Sequence, residues 1–161
     1  MDEKESILKF MVIDHGKMYE FLSDFRFRLG QEDKEEAVGA FNLFKQKESR
    51  HIDAEENVVF KFNKKIEKIK ILEVIKKQHI EAGKMIKKIE EKLNSQEDPT
   101  EETEKLQEFL RKHTNLEEKS FYPILEKELT KEQKIEMINK IDEISNVKKT
   151  GVFKKFLNLF K

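Results

Sequence analysis

The chain has 161 residues, enough for one domain with a sizeable core, and its 33 Lys and Arg offset 33 Asp and Glu. That balance excludes a net field that recruits nucleic acid or an acidic substrate. With no Cys there are no disulfides, thiol nucleophiles, iron–sulfur clusters or thiolate zinc sites, and with only 5 Gly and 2 Pro amid Lys, Glu, Ile and Leu the fold is predicted all-α.

The first apolar seam runs through Met11, His15, Met18, Leu22, Phe25 and Leu29 in steps of four and three, and Gly30 is a natural stop for that helix. The second runs through Ala37, Phe41, Phe44, Glu48, His51, Glu55, Val58 and Phe62, and the third through Leu72, Ile75, His79, Ala82, Ile86, Ile89 and Leu93. Between these two only Asn63 and its lysines mark a break; a polar loop from Asn94 to Pro99 closes the third. The fourth seam, capped by Thr100, takes Leu106, Leu110, His113, Glu117, Phe121 and Ile124, with Pro123 expected to bend or loosen it.

Thr130 and Gln133 have the spacing of a capping box, which introduces a shorter helix through Ile135, Ile138, Ile141 and Ile144. Beyond it, Phe153, Phe156, Leu157 and Phe160 face away from Lys154, Lys155, Asn158 and Lys161, a basic amphipathic tail. The expected organisation is an antiparallel up-down four-helix bundle over 1–129, an accessory helix over 130–146 and the tail over 147–161. MDEKES gives no signal stretch and no run of 18 apolar residues occurs, so the expected compartment is the cytoplasm, with 150–161 a candidate contact to a membrane surface or a protein partner.

All four histidines, His15, His51, His79 and His113, lie on apolar seams, one per helix. Glu55 and Glu117 share the same faces, each four residues after a histidine. Buried imidazoles and carboxylates without partners cost roughly several kcal/mol each, so six of them facing one core need compensation that a pair of divalent cations would provide. HIDAEENVVF at 51–60 and HTNLEEKSFY at 113–122 are copies of one H-x3-E-E pattern, so the two hairpins are expected to supply matching ligand sets about a pseudo-twofold axis. Glu56 and Glu118 are rotated off the seam, which favours Glu55 and Glu117 as the shared ligands; Glu118, and Glu48 and Tyr19 one turn from His51 and His15, are candidate further ligands or supports, the last two against the plainer roles of a solvated or salt-bridged acid and a core aromatic. Zinc or manganese would suit such nitrogen and oxygen donors as well as iron.

D-H at 14–15, H-x3-E-E at 51–56, Q-H at 78–79 and H-x3-E-E-x2-F-Y-P at 113–123 resemble the hemerythrin-like, or HHE cation-binding, family over about residues 9–127. The resemblance implies a non-haem, oxo- or hydroxo-bridged di-iron centre, with His15 and His51 on one iron, His79 and His113 on the other, and Glu55 and Glu117 shared. Where oxygen-carrying members have a further histidine, this chain has Ile75, which leaves about two coordination positions open. The implied function is binding of dioxygen or nitric oxide for storage, delivery or sensing. The alternatives are a redox enzyme turning over peroxide or nitric oxide, and an iron-sensing structural module.

Overall fold

The computed structural model describes residues 5–31 and 33–146; the tail expected over 147–161 lies outside them. Among the described residues the chain is helical without a strand: α1 (Ile7–Gly30), α2 (Lys34–Ala54), α3 (Ile71–Asn94), α4 (Thr100–Leu116), α5 (Tyr122–Glu128) and α6 (Lys131–Asn146). No helix among them is long and apolar enough to cross a membrane.

The helix ends follow local chemistry. Ser6 caps α1 by accepting from the Lys9 amide, and Glu126, far along the chain, accepts from both the Leu8 amide and the Ser6 hydroxyl, so α5 helps to start α1. α1 stops at Gly30 as the sequence predicts. Asn63 accepts from the amides of Lys65 and Ile66 and opens the short 3-10 turn Ile66–Lys68, which gives the weak break between the second and third seams its mechanism. Thr130 and Gln133 form the reciprocal capping box of α6. Thr100, expected as a cap, is instead the first residue of α4, and the Asp98 carboxylate accepts its amide and its hydroxyl.

The clearest departure from simple periodicity is a π-helical turn after each H-x3-E pair. One spans Glu55–Val59, with the Phe60 amide donating to the Glu55 carbonyl at 2.8 Å; the other spans Glu117–Phe121, with the Tyr122 amide donating to the Glu117 carbonyl. A π turn holds one residue more than an α turn, so the buried face slips forward by one position. Val59 and Phe60 are therefore buried where the seam predicted Val58, and Leu125 is buried where it predicted Ile124, which is 37% exposed. Pro123, expected to bend or loosen the fourth seam, lies in the first turn of α5 just past the second π turn, and neither π turn contains a proline.

The side chains of these helices build two apolar clusters. One gathers Ile7, Met11, Val59, Phe60, Ile75, Phe121, Tyr122 and Leu125, and α6 adds Met137, Ile138 and Ile141 to it. The other gathers Met18, Leu22, Phe25, Phe41, Phe44, Ala82, Ile86, Leu106 and Leu110. Along every long helix the histidine falls between residues of the first cluster and residues of the second, as His15 does between Met11 and Met18, so a polar layer is sandwiched between two dry ones.

Candidate metal centre

α1, α2, α3 and α4 each deliver one histidine to that layer, and the starts of the two π turns deliver Glu55 and Glu117. All six residues are at most 3% exposed. Their donor atoms converge: His15 Nε2 lies 3.2 Å from His51 Nε2 and 3.3 Å from Glu117 Oε2, His113 Nε2 lies 3.2 Å from Glu117 Oε1, and Glu55 Oε2 lies 3.0 Å from His79 Nε2 and 3.6 Å from His51 Nε2. They fall into two groups that meet at Glu117, one of Glu55, His79, His113 and Glu117, the other of His15, His51 and Glu117.

These atoms are poorly satisfied by one another. Among the described residues, Glu55 Oε2, His79 Nε2, His113 Nε2 and both carboxylate oxygens of Glu117 are buried without a hydrogen-bond partner. Folded proteins leave few such atoms, because each lost hydrogen bond in a dry interior costs about 1–3 kcal/mol. A cation compensates imidazole nitrogens and carboxylates together, so the donor set fits a metal.

The sequence model of the hemerythrin HHE cation binding domain matches residues 6–145, which take in every long helix and the residues of this layer. The chain belongs to the hemerythrin HHE cation-binding family. No curated protein and no solved structure gives a match.

Within this hemerythrin domain all four imidazoles point Nε2 inward and are held from behind through Nδ1. Glu118 accepts from His15 at 2.7 Å, Asp14 from His51 at 2.9 Å, Glu56 from His79 at 2.8 Å and the Gln78 amide oxygen from His113 at 2.8 Å. With the Nδ1 proton fixed outward, the Nε2 lone pair is left for the interior. Glu118, which the sequence analysis named as a candidate ligand or support, faces Nδ1 of His15. Asp14, Gln78 and Glu56 it did not assign, although they sit in the D-H, Q-H and E-E pairs. Such a group lies off its own seam, and its target is a histidine on a neighbouring helix that a one-helix pattern cannot display.

The electrostatics follow from this packing. Burial alone would lower the His15 imidazole, but the facing carboxylates of Glu117 and Glu118 raise it to about 10, and against the same burial Glu117, Glu55 and Glu56 push His79 up to about 12. His51 is raised against burial by Glu55 and Asp14; His113, whose Nδ1 faces a neutral amide, is lowered by burial. Burial works against Glu117 as a carboxylate, yet His113, His15 and His79 hold it well below the usual range. The carboxylates thus favour the protonated forms of His15, His51 and His79, and burial favours neutral His113.

The candidates outside the six fall as follows. Tyr19 is half-buried and shares a 2.9 Å hydrogen bond with the Thr114 hydroxyl of α4. Among the described residues Glu48 is neither solvated nor salt-bridged as the plain reading expected: it is 1% exposed, its Oε2 has no partner there, and burial raises its pKa. Ile75 is wholly buried in the first apolar cluster. Tyr122, whose burial pushes its phenol well up, donates its hydroxyl to Glu55 Oε1, a contact that the sequence analysis did not foresee.

Proposed function

We propose that this hemerythrin domain is an antiparallel up-down four-helix bundle around a non-haem di-iron centre, and that it binds dioxygen or nitric oxide for storage, delivery or sensing. The observation that carries the reading is the inward convergence of four Nε2 atoms and two carboxylates, most of them without hydrogen-bond partners, in one polar layer between two apolar clusters. His15 and His51 would hold one iron, His79 and His113 the other, with Glu55 and Glu117 between them. When bound, the irons supply a reducible pair able to take up a diatomic gas. The rest of the chemistry belongs to the chain. Glu118, Asp14, Glu56 and Gln78 fix the four rings, the two apolar clusters exclude water, and Ile75 presents hydrocarbon rather than a further donor.

The test is optical spectroscopy of anaerobically reduced, iron-loaded protein before and after dioxygen or nitric oxide is admitted. The expected result is new visible absorption that reverses when the gas is removed. Irreversible bleaching with loss of iron, or no change, overturns gas binding.

Glu48 favours a second reading, turnover of peroxide or nitric oxide. A carboxyl with its pKa raised by burial, one helical turn before His51, is an acid positioned to supply a proton. Steady-state consumption by the wild type that falls at least tenfold in Glu48→Gln supports turnover; absence of consumption by the wild type returns the first reading.

A further inference from the structure

The two H-x3-E-E segments are repeats in structure as well as in sequence, and the aromatic residues that close them differ by one hydroxyl. Phe60 and Tyr122 occupy the same repeat position, and each donates its amide to the carbonyl of the glutamate five residues earlier, which closes a π turn. Each ring then sits beside a histidine of the other hairpin at the same separation, Phe60 to His79 at 5.9 Å between centroids and Tyr122 to His15 at 5.9 Å. The backbone and the ring separations keep the pseudo-twofold relation, while the ring planes meet at 7° for Phe60 and His79 and at 37° for Tyr122 and His15. The Tyr122 hydroxyl breaks it, because it donates to Glu55 Oε1 and Phe60 has nothing with which to treat Glu117 likewise.

The glutamates are left unequal. Both oxygens of Glu117 are buried and unpartnered, Oε2 toward His15 at 3.3 Å and Oε1 toward His113 at 3.2 Å, one for each histidine pair. Glu55 has only Oε2 unpartnered, and that one atom lies between the pairs, 3.6 Å from His51 and 3.0 Å from His79. We propose that Tyr122 is a positioning residue that reserves Glu55 Oε1, so that Glu117 offers cations both of its oxygens and Glu55 offers one. The inference rests on the metal-centre reading and adds to it that the two carboxylates are not interchangeable. It also predicts an effect of exchanging the repeat residues: Tyr122→Phe frees Glu55 Oε1 and makes the two glutamates alike, while Phe60→Tyr extends the restriction to Glu117.

The experiment uses the whole chain loaded with Zn(II), a redox-silent probe, with the glutamate carboxyls labelled with carbon-13. Infrared difference spectra, loaded minus metal-free, are recorded for wild type, Tyr122→Phe and Phe60→Tyr, with bound zinc counted in each. The expected result is two zinc ions per chain in wild type and Tyr122→Phe, and a shift in the separation of antisymmetric and symmetric stretches for one glutamate carboxylate between them. Phe60→Tyr is expected to shift a second carboxylate. Equal zinc with superimposable carboxylate bands in wild type and Tyr122→Phe overturns the inference and leaves the metal centre standing. Loss of zinc from Tyr122→Phe also overturns it, since it would make the phenol a ligand or a support of the fold. A wild type that takes up no zinc and no iron overturns the metal-centre reading itself.

Discussion

At the scale of single residues, the ligand candidates and their supports differ in how the sequence displays them. A histidine on an apolar seam is visible because it breaks the composition of its own helix, and His15, His51, His79 and His113 each do so. Asp14, Glu56 and Glu118 look like ordinary surface acids, and their role depends on which helix lies alongside. Replacing Asp14 or Glu56 by Ala is expected to weaken metal affinity roughly 10–100-fold by freeing the ring of His51 or His79; competition with a chromophoric chelator measures it. Because the carboxylates around His15 and His79 raise their pKa values to about 10 and about 12, metal uptake is expected to release protons. Calorimetry in buffers of different ionisation enthalpy reads that release. Away from the centre, Lys92 of α3, with help from Lys88, holds the Glu102 carboxyl of α4 down at about 2, from an ordinary value of 4.5. A depressed acid contributes stability above its unfolded value and loses it as pH falls through its folded one. The stability gap between wild type and Glu102→Gln is therefore expected to be full above pH 4.5 and to close as pH falls through about 2, as followed by acid unfolding.

At the scale of elements, the seams, the stop at Gly30, the polar loop after Asn94 and the capping box at Thr130 were legible because each rests on contacts within a few residues. The π turns were not: each begins at a glutamate whose side chain is buried in the layer, and that burial involves other helices rather than the local sequence. One extra residue in each turn is why Val58 and Ile124 were placed on the buried face and Val59 and Leu125 occupy it. The start of α1 teaches the same lesson: Ser6 is a readable cap, whereas its partner Glu126 arrives from α5. Glu126→Ala is expected to cost about 1–2 kcal/mol in denaturant unfolding, because it strips the Leu8 amide of its acceptor. At the end of α3, Gln96 adopts a φ of 60°, left-handed backbone that suits glycine, while the Glu97 amide reaches back to the Lys92 carbonyl at 2.8 Å. Gln96→Gly is expected to stabilise the protein by about 1 kcal/mol, since it relieves the side-chain clash of that conformation.

At the scale of the whole molecule, two dry clusters enclose a layer that no apolar packing can satisfy. A mutation in either cluster acts on stability through cavity formation, whereas a mutation in the layer acts through the cation. Phe44, wholly buried in the second cluster, is expected to cost about 3–5 kcal/mol when cut to Ala. Bound cations stabilise the folded chain by mass action, by about 2.7 kcal/mol when free metal stands at 100 times its dissociation constant, so chelation is expected to lower the melting temperature. The central claim is that one layer of four imidazoles and two carboxylates holds a metal pair. Elemental analysis of protein purified from iron-rich culture tests it most directly, run beside a His51→Ala and His113→Ala double variant. The account predicts two irons per chain in the wild type and at most a trace in the variant. Wild-type protein that emerges free of metal, and melts at the same temperature with and without added iron, would contradict it.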